Sequence, residues 1–374
     1  MPNAKRTTAM NINELGWNSF FEKHFGDSKR GDFIPARIAC QHKGRYDIHC
    51  SHGSMTAEIS GKLQHESVFM AEYPAVGDWV VVTARPHEGK AIIHKILPRK
   101  SCFSRKAILA GGRKGIGGET EEQILAANID TAFLVSGLDR DFSIRRIERY
   151  VAIAWDSGAN PVVILNKADV CRNLEEPIEE VETVAMGVPV HAVSAIEKTG
   201  LDALQQYLAR GSTVVFLGSS GVGKSTIING LLGDDLLKVG GLRVHDQRGR
   251  HTTTQREMII LPSGGIVIDT PGIREIQLWS DDEGLSRTFA DVEEIADQCR
   301  FRNCRHQGEP GCAVEQALED GTLDRDRFDS YGRLQKELKY LSIRKDQKAR
   351  LVETAKWKKI TKSMRQRYKM RGEK

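Results

Sequence analysis

The chain has 374 residues, 40% apolar and 28% charged, with a formal net charge of +5, a globular composition with room for two or three domains. No stretch approaches the roughly 18 apolar residues that would span a membrane. The start, MPNAKRTTAMNINELG, lacks the apolar core of a secretory signal, so a cytoplasmic monomer with no membrane partner is expected.

Residues 1–32 are polar and are expected to be a flexible N-terminus. Five short alternating runs follow within residues 33–98: FIPARIAC, RYDIHCS, SMTAEIS, GDWVVVTAR and KAIIHKIL. Period-two alternation with Gly-containing turns reads as strands, and five of them suit an OB-fold β-barrel. Residues 99–123 contain LAGGRKGIGGET and read as a linker. These glycines are no dinucleotide fingerprint, because no apolar strand leads into them.

Over residues 124–275 strand-like runs (TAFLVSG, PVVILN, PVHAVSA, TVVFLG, REMIIL, GIVIDT) alternate with helix-like segments. That is an α/β domain with a largely parallel sheet. Residues 276–340 are mostly helical and contain a Cys/His cluster. The tail, 341–374, is basic: from Arg333 to Lys374 there are 16 Lys or Arg against 4 Asp or Glu. So uneven a distribution suits a polyanion, nucleic acid first, unless the tail is simply a solvated segment.

Gly218-Ser219-Ser220-Gly221-Val222-Gly223-Lys224-Ser225 fits the phosphate-binding loop pattern between a strand and a helix. Its backbone N–H groups would curl around phosphates at the helix N-terminus, with Thr226 continuing the turn. Lys224 would reach the β- and γ-phosphates, and the Ser225 hydroxyl would hold Mg²⁺. Asp269, closing the strand of VIDTPGI, would share that Mg²⁺, and the Gly272 amide would sense the γ-phosphate. Between them lies GRHTTT, Gly249 to Thr254, where Thr253, ahead of its neighbouring threonines, is the expected third magnesium ligand of a switch segment, unless the stretch is an ordinary polar loop.

NKAD, Asn166 to Asp169, ends an earlier apolar strand. The Asp169 carboxylate would accept from guanine N1–H and the exocyclic amine, which adenine cannot match. Asn166 would reach the base edge, the Lys167 stem would lie along the purine, and Ala168 completes the loop. Alone, four such letters equally describe a strand-end turn. Ser194 and Ala195 end the next strand, where a backbone N–H would bind guanine O6.

The order is therefore guanine, guanine, phosphate, switch, magnesium, which resembles the circularly permuted GTPases. With a barrel in front and a Cys/His cluster behind, the chain is similar to the small ribosomal subunit biogenesis GTPase A (RsgA) family from about Phe33 to Tyr340. The resemblance implies GTP hydrolysis that assists late maturation of the small (30S) ribosomal subunit. It further implies binding through rRNA and release coupled to hydrolysis. Two alternatives stay open: an RNA-binding nucleotide switch with little catalysis, and a permuted GTPase acting on another RNA. Many GTPases carry Gln just after D-x-x-G, but here Ile273 stands there and cannot orient water. Slow intrinsic turnover follows, with help from a partner or from His251, a residue equally readable as a surface-loop histidine. Lys224, Thr253 and His251 are the catalytic candidates.

Seven cysteines are an odd number for a disulfide framework, and three of them crowd between Cys299 and Cys312. Cys299, Cys304, His306 and Cys312 supply three thiolates and an imidazole, a closed tetrahedral set for one structural Zn²⁺. A redox site or free buried cysteines are the other readings, and the RsgA resemblance implies zinc. In the barrel, Cys40 with His42 and Cys50 with His52 would share faces of paired strands, and His49 lies nearby. These read as polar groups at a barrel rim, with a second metal site the other reading, and the resemblance implies no metal there.

Overall fold

The computed structural model describes residues 10–26, 28, 31–108, 120–233, 256–269 and 283–342, with the side chains of 106–108 and 120 left aside. The chain divides into two compact units, Met1–Gln277 and Leu278–Lys374.

The first unit opens with a short 3₁₀ turn, Ile12–Leu15, and helix α1, Ser19–Gly26. This departs from the flexible N-terminus expected. Leu15, Phe21 and Phe25 are buried with Trp79, Val81 and Leu97, and Trp17 packs edge-on against Trp79 with ring centroids 4.7 Å apart. Three aromatic anchors in SFFEKHFG and the Trp before it outweigh the polar residues around them.

Strands β1 (Phe33–Gln41), β2 (Tyr46–Cys50) and β3 (Gly53–Ile59), helix α2 (Gly61–Glu66), and strands β4 (Trp79–Arg85) and β5 (Lys90–Ile96) follow. The strands pair in the order β1-β2-β3-β5-β4, and β4 returns to β1, closing the five-stranded barrel of the OB-fold. Its core comes from one face of each strand, including Ala36, Ile38, Ile48, Val80, Val82 and Ile93.

Strands β6 (Cys102–Ile108) and β7 (Thr120–Ala127) then pair antiparallel, where the sequence reading placed a linker. Alternation in CFSRKAI and the apolar end of EEQILAA carry the pairing. The glycines between them, 109–119, lie outside the described residues. Ala127 N donates to Val76 O at 2.9 Å, so the ribbon is hydrogen-bonded to the barrel side of the unit.

The α/β portion comprises β8 (Thr131–Gly137), α3 (Ile144–Asp156), β9 (Asn160–Asn166), α4 (Glu175–Val184), β10 (Val190–Val193), β11 (Thr213–Leu217), α5 (Lys224–Leu232), β12 (Glu257–Ile260) and β13 (Ile266–Asp269). The sheet order is β10-β9-β8-β11-β13-β12, all parallel except β12. Every residue of β8 and β11 is buried, the mark of strands covered on both faces. β12 also pairs with β1 through Glu257 and Cys40, so barrel and α/β sheet are one hydrogen-bonded surface.

Arg37, 1% exposed, fastens this junction. Its guanidinium donates to the carbonyls of Leu15 (2.5 Å), Gly77 (3.2 Å) and Asn128 (3.1 Å) and to Thr213 Oγ1 (2.9 Å). Burial lowers its pKa to about 10, against the opposing pull of Asp130 and Asp78, so it stays charged at neutral pH.

In the second unit, α6 (Glu283–Thr288), α7 (Ala290–Ala296), α8 (Ala313–Glu319) and a further helical stretch, 325–342, pack around Phe289, Val292 and Val314. Arg327 is paired with Asp291 at 2.6 Å and lies over the Phe289 ring. Among the described residues no helix is long and apolar enough to cross a membrane.

Candidate nucleotide-binding site

Parallel strands deliver their C-terminal ends to one edge of a sheet, where ligands of α/β folds bind. Here β9 ends in Asn166, with Gly137 of β8 opposite it on one side and Val193 of β10 on the other. β11 runs beside β8 and leads into the glycine loop. Two motifs 50 residues apart in sequence thus share an edge.

Asn166 joins them. It is 2% exposed. Its Nδ2 donates to Val222 O in the phosphate loop at 2.7 Å, and its Oδ1 accepts from Ala195 N at 3.0 Å. One side chain therefore ties the Asn166–Asp169 loop to the glycine loop and to the following Ser-Ala pair. Gly223 makes room for it: with φ +97°, a Cβ there would lie 2.2 Å from Asn166 Nδ2. At Gly218, φ +152°, a Cβ would meet Val135 O at 2.4 Å.

Lys167 adopts a left-handed φ of 68° and its Nζ pairs with Asp139 Oδ2 at 2.6 Å. That hydrogen bond holds Asp139 below the usual carboxylate range. Asp169 Oδ1 accepts from Ser194 Oγ at 2.5 Å, and Ser194 Oγ accepts from Glu197 N at 3.1 Å. The Ser194 hydroxyl proton is thus committed to Asp169.

In the phosphate loop, Lys224 Nζ donates to Gly218 O (2.8 Å) and Ser219 O (2.7 Å), so its ammonium lies within the curl of the loop. Ser225 and Thr226 occupy the first turn of α5. Asp269 ends β13, which is parallel to β11. A hydroxyl from the helix and a carboxylate from the neighbouring strand end suit the oxygen shell that Mg²⁺ takes. Thr253, His251, Gly272 and Ile273 lie outside the described residues.

The sequence reading missed three contributors that follow β8, Asp139 and Asp141 on the loop and Arg146 in the first turn of α3. Asp141 Oδ2 accepts from Ser219 Oγ at 2.5 Å, while Arg146 Nη1 donates to Asp141 Oδ1 at 2.7 Å and Ser219 Oγ at 3.2 Å. Asp139 is the third, through Lys167. The signal is sheet adjacency: β8 lies between β11 and β9, so the segment after β8 meets the loop after β11 through Asp141 and Arg146 and the loop after β9 through Asp139.

In the second unit, Cys299, Cys304, His306 and Cys312 bring one ligand atom each within 4.8 Å of the others. Cys299 Sγ is 4.0 Å from Cys312 Sγ and 3.6 Å from His306 Nδ1, and His306 Nδ1 is 3.4 Å from Cys312 Sγ. Tetrahedral thiolates about 2.3 Å from a metal stand roughly 3.8 Å apart, so the set fits an ion. Cys312 Sγ also accepts from Glu315 N at 3.4 Å, capping α8. Burial opposes it, yet backbone N–H groups of Val314 and Ala313 hold the Cys299 thiol below its ordinary value.

Cys40 and His42 come together as expected, with Asp47 beside them, but Cys50 does not join them. Cys50 points into the barrel core, while Cys40 lies opposite Asp47 across a bulge in β1. Burial pushes the Cys40 thiol up to about 11, with Glu257 and Asp47 adding to it.

The profile of the RsgA GTPase family matches residues 96–279. A curated relative from Opitutus terrae, named small ribosomal subunit biogenesis GTPase RsgA, is 45% identical over 97% of this chain and 99% of its own length. The chain belongs to the RsgA GTPase family. A relative of the same name from Methanosarcina acetivorans is 41% identical over 97% of this chain and 95% of its own. Among solved structures, YjeQ from Thermotoga maritima aligns with a TM-score of 0.59 and 24% identity, covering 82% of this chain and 98% of its own. YloQ, described as a circularly permuted GTPase, aligns at 0.55 and 24%, covering 83% and 96%. Those two likenesses carry the fold, and with it the permuted strand order. RsgA membership makes the chain a GTP hydrolase.

Proposed function

We propose that this chain is a GTPase of small-ribosomal-subunit biogenesis that binds the 30S subunit late in its maturation, through rRNA, and leaves when GTP is hydrolysed. The observation that carries the nucleotide reading is Asn166, which hydrogen-bonds the phosphate loop and the Ser-Ala motif at once. The partner reading is supported by the relatives' printed names, by the OB-type barrel and by the basic tail.

Guanine is selected by Asp169, held by Ser194, with Lys167 along the ring and the Ala195 region closing the far edge. Glycine-loop amides and Lys224 hold the phosphates. Ser225, Asp269 and Thr253 would hold Mg²⁺, which when bound neutralises charge on the β- and γ-oxygens. Ile273 cannot orient water, so the water-aligning group is His251 or is brought by the subunit. Charge-stabilising groups supplied in trans give other GTPases ~10³–10⁵ in rate. In the second unit Cys299, Cys304, His306 and Cys312 would hold structural Zn²⁺, whose ligand set of three thiolates and one imidazole is closed to substrate. The protein acts in the cytoplasm, as a monomer.

GTP turnover measured with and without purified small subunits tests this reading. Slow turnover alone and strong stimulation by 30S, absent with 50S, is expected. Equal rates in all three conditions would overturn it.

A further inference from the structure

The barrel carries a third constellation of ligand-type side chains, apart from the nucleotide edge and from the Cys299–Cys312 cluster. Cys40, His42 and Asp47 lie at the β1–β2 hairpin, and one ligand atom from each falls within 4.8 Å of the other two. His42 Nε2 is 2.7 Å from Asp47 Oδ2, and the Cys40 residue beside them is only 8% exposed.

The backbone explains how they meet. Ala36 and Ile38 of β1 point into the barrel core, as do Tyr46, Ile48 and Cys50 of β2. Simple alternation would send Cys40 inward after Ile38. The register breaks there: Ile38 lies opposite Ile48, but Cys40 lies opposite Asp47, so β1 holds one extra residue at a bulge. A bulge re-aims the side chains beyond it, and this one turns Cys40 onto the outer face with Asp47. His42, two residues further on, returns to that same face, and His42 N closes the hairpin on Arg45 O at 2.9 Å. On its other side Cys40 is paired with Glu257 of β12, and directly opposed residues share a face. A half-exposed His–Asp pair is common on protein surfaces. A bulge that sets a buried thiol against such a pair, between two acidic strand neighbours, is not.

We propose that Cys40, His42 and Asp47 form a second binding site for a zinc-class divalent ion, with Glu257 or water completing four ligands. One thiolate, one imidazole and one carboxylate are the ligand types Zn²⁺ accepts, and the sulfur disfavours Mg²⁺ and Ca²⁺. The site lies on the strand pair that joins barrel to α/β sheet. Its fourth candidate, Glu257, follows Thr253 of the switch stretch by four residues. A bound ion would therefore clip the strand leaving the switch to the barrel hairpin, through bonds stronger than the single β1–β12 pairing there.

The test uses the full chain, stripped of metal and titrated with Co²⁺, read by near-ultraviolet thiolate-to-metal absorption, and separately loaded with Zn²⁺ and assayed by mass spectrometry for metal per chain. Wild type should take up two equivalents, and Cys40→Ser and His42→Ala one each. Cys304→Ser should keep the equivalent that Cys40→Ser loses. GDP affinity reports whether the Cys40 and His42 variants keep the unit Met1–Gln277 folded, and Asp47→Asn, at a more exposed position, serves if Cys40→Ser does not. One equivalent in wild type, or two retained in both Cys40→Ser and His42→Ala, overturns the proposal.

Discussion

Asp169→Asn should abolish guanine selection without disturbing the fold, and the structure fixes which way the new amide faces. Ser194 Oγ accepts from Glu197 N, so its proton is directed at Asp169 Oδ1, 2.5 Å away. An asparagine satisfies that donor only with its carbonyl oxygen. Its NH₂ must then stand where Oδ2 stood, facing the N1–H and exocyclic amine of guanine, donor against donor. Two charge-assisted hydrogen bonds at ~1.5–3 kcal/mol each are lost, about 3–6 kcal/mol together, or roughly 10²- to 10⁴-fold in affinity. Xanthine carries a carbonyl where guanine carries the amine, so the same amide gains an acceptor there. Titration calorimetry with GDP and with xanthosine diphosphate reads both changes. GDP affinity within threefold of wild type, or no gain for the xanthine nucleotide, would refute the assignment of Asp169.

Gly223→Ala adds a Cβ 2.2 Å from Asn166 Nδ2 at a left-handed φ. Backbone strain of ~1–2 kcal/mol and the displaced Asn166 bond should weaken GDP binding at least ~10-fold, as calorimetry would show. Arg37→Met removes a donor from four buried acceptors, of which Gly77 O keeps Asn128 Nδ2. At ~1–3 kcal/mol for each buried acceptor left unsatisfied it should cost at least about 3 kcal/mol, measured as a lower urea midpoint, with GTP turnover retained in the folded fraction. If Cys299, Cys304, His306 and Cys312 hold a structural ion, chelation should unfold α8 and its neighbours, seen as lost helical dichroism. GDP affinity, which belongs to the unit Met1–Gln277, should persist.

What the sequence made legible was chemistry written in short runs. Asn166–Asp169 and Gly218–Ser225 each fit within one loop, so spacing alone located them, and the continuous apolar strands before them set the parallel sheet. Features built from distant segments stayed hidden. Asp141 and Arg146 reach Ser219 only because β8 and β11 are neighbours. Asp47 escaped notice because period-two reasoning assigns faces correctly only while a strand is regular, and the bulge after Ile38 reverses the faces. The glycines of 109–119 drew attention from the alternation on either side of them, and the polar character of the first thirty residues masked two buried phenylalanines, Phe21 and Phe25.

The pairing of Cys40 with Glu257 also governs how the molecule can be divided. Among the described residues β12 has β13 on one side and, on the other, only the barrel. Excising residues before the α/β portion would leave β12 with open N–H and C=O groups, an invitation to edge-to-edge association, and would strip Thr213 of the Arg37 guanidinium. The barrel is therefore more than an attached recognition module. It covers the last strand of the GTPase sheet, and evolution could cut and rejoin this chain elsewhere while keeping that edge closed.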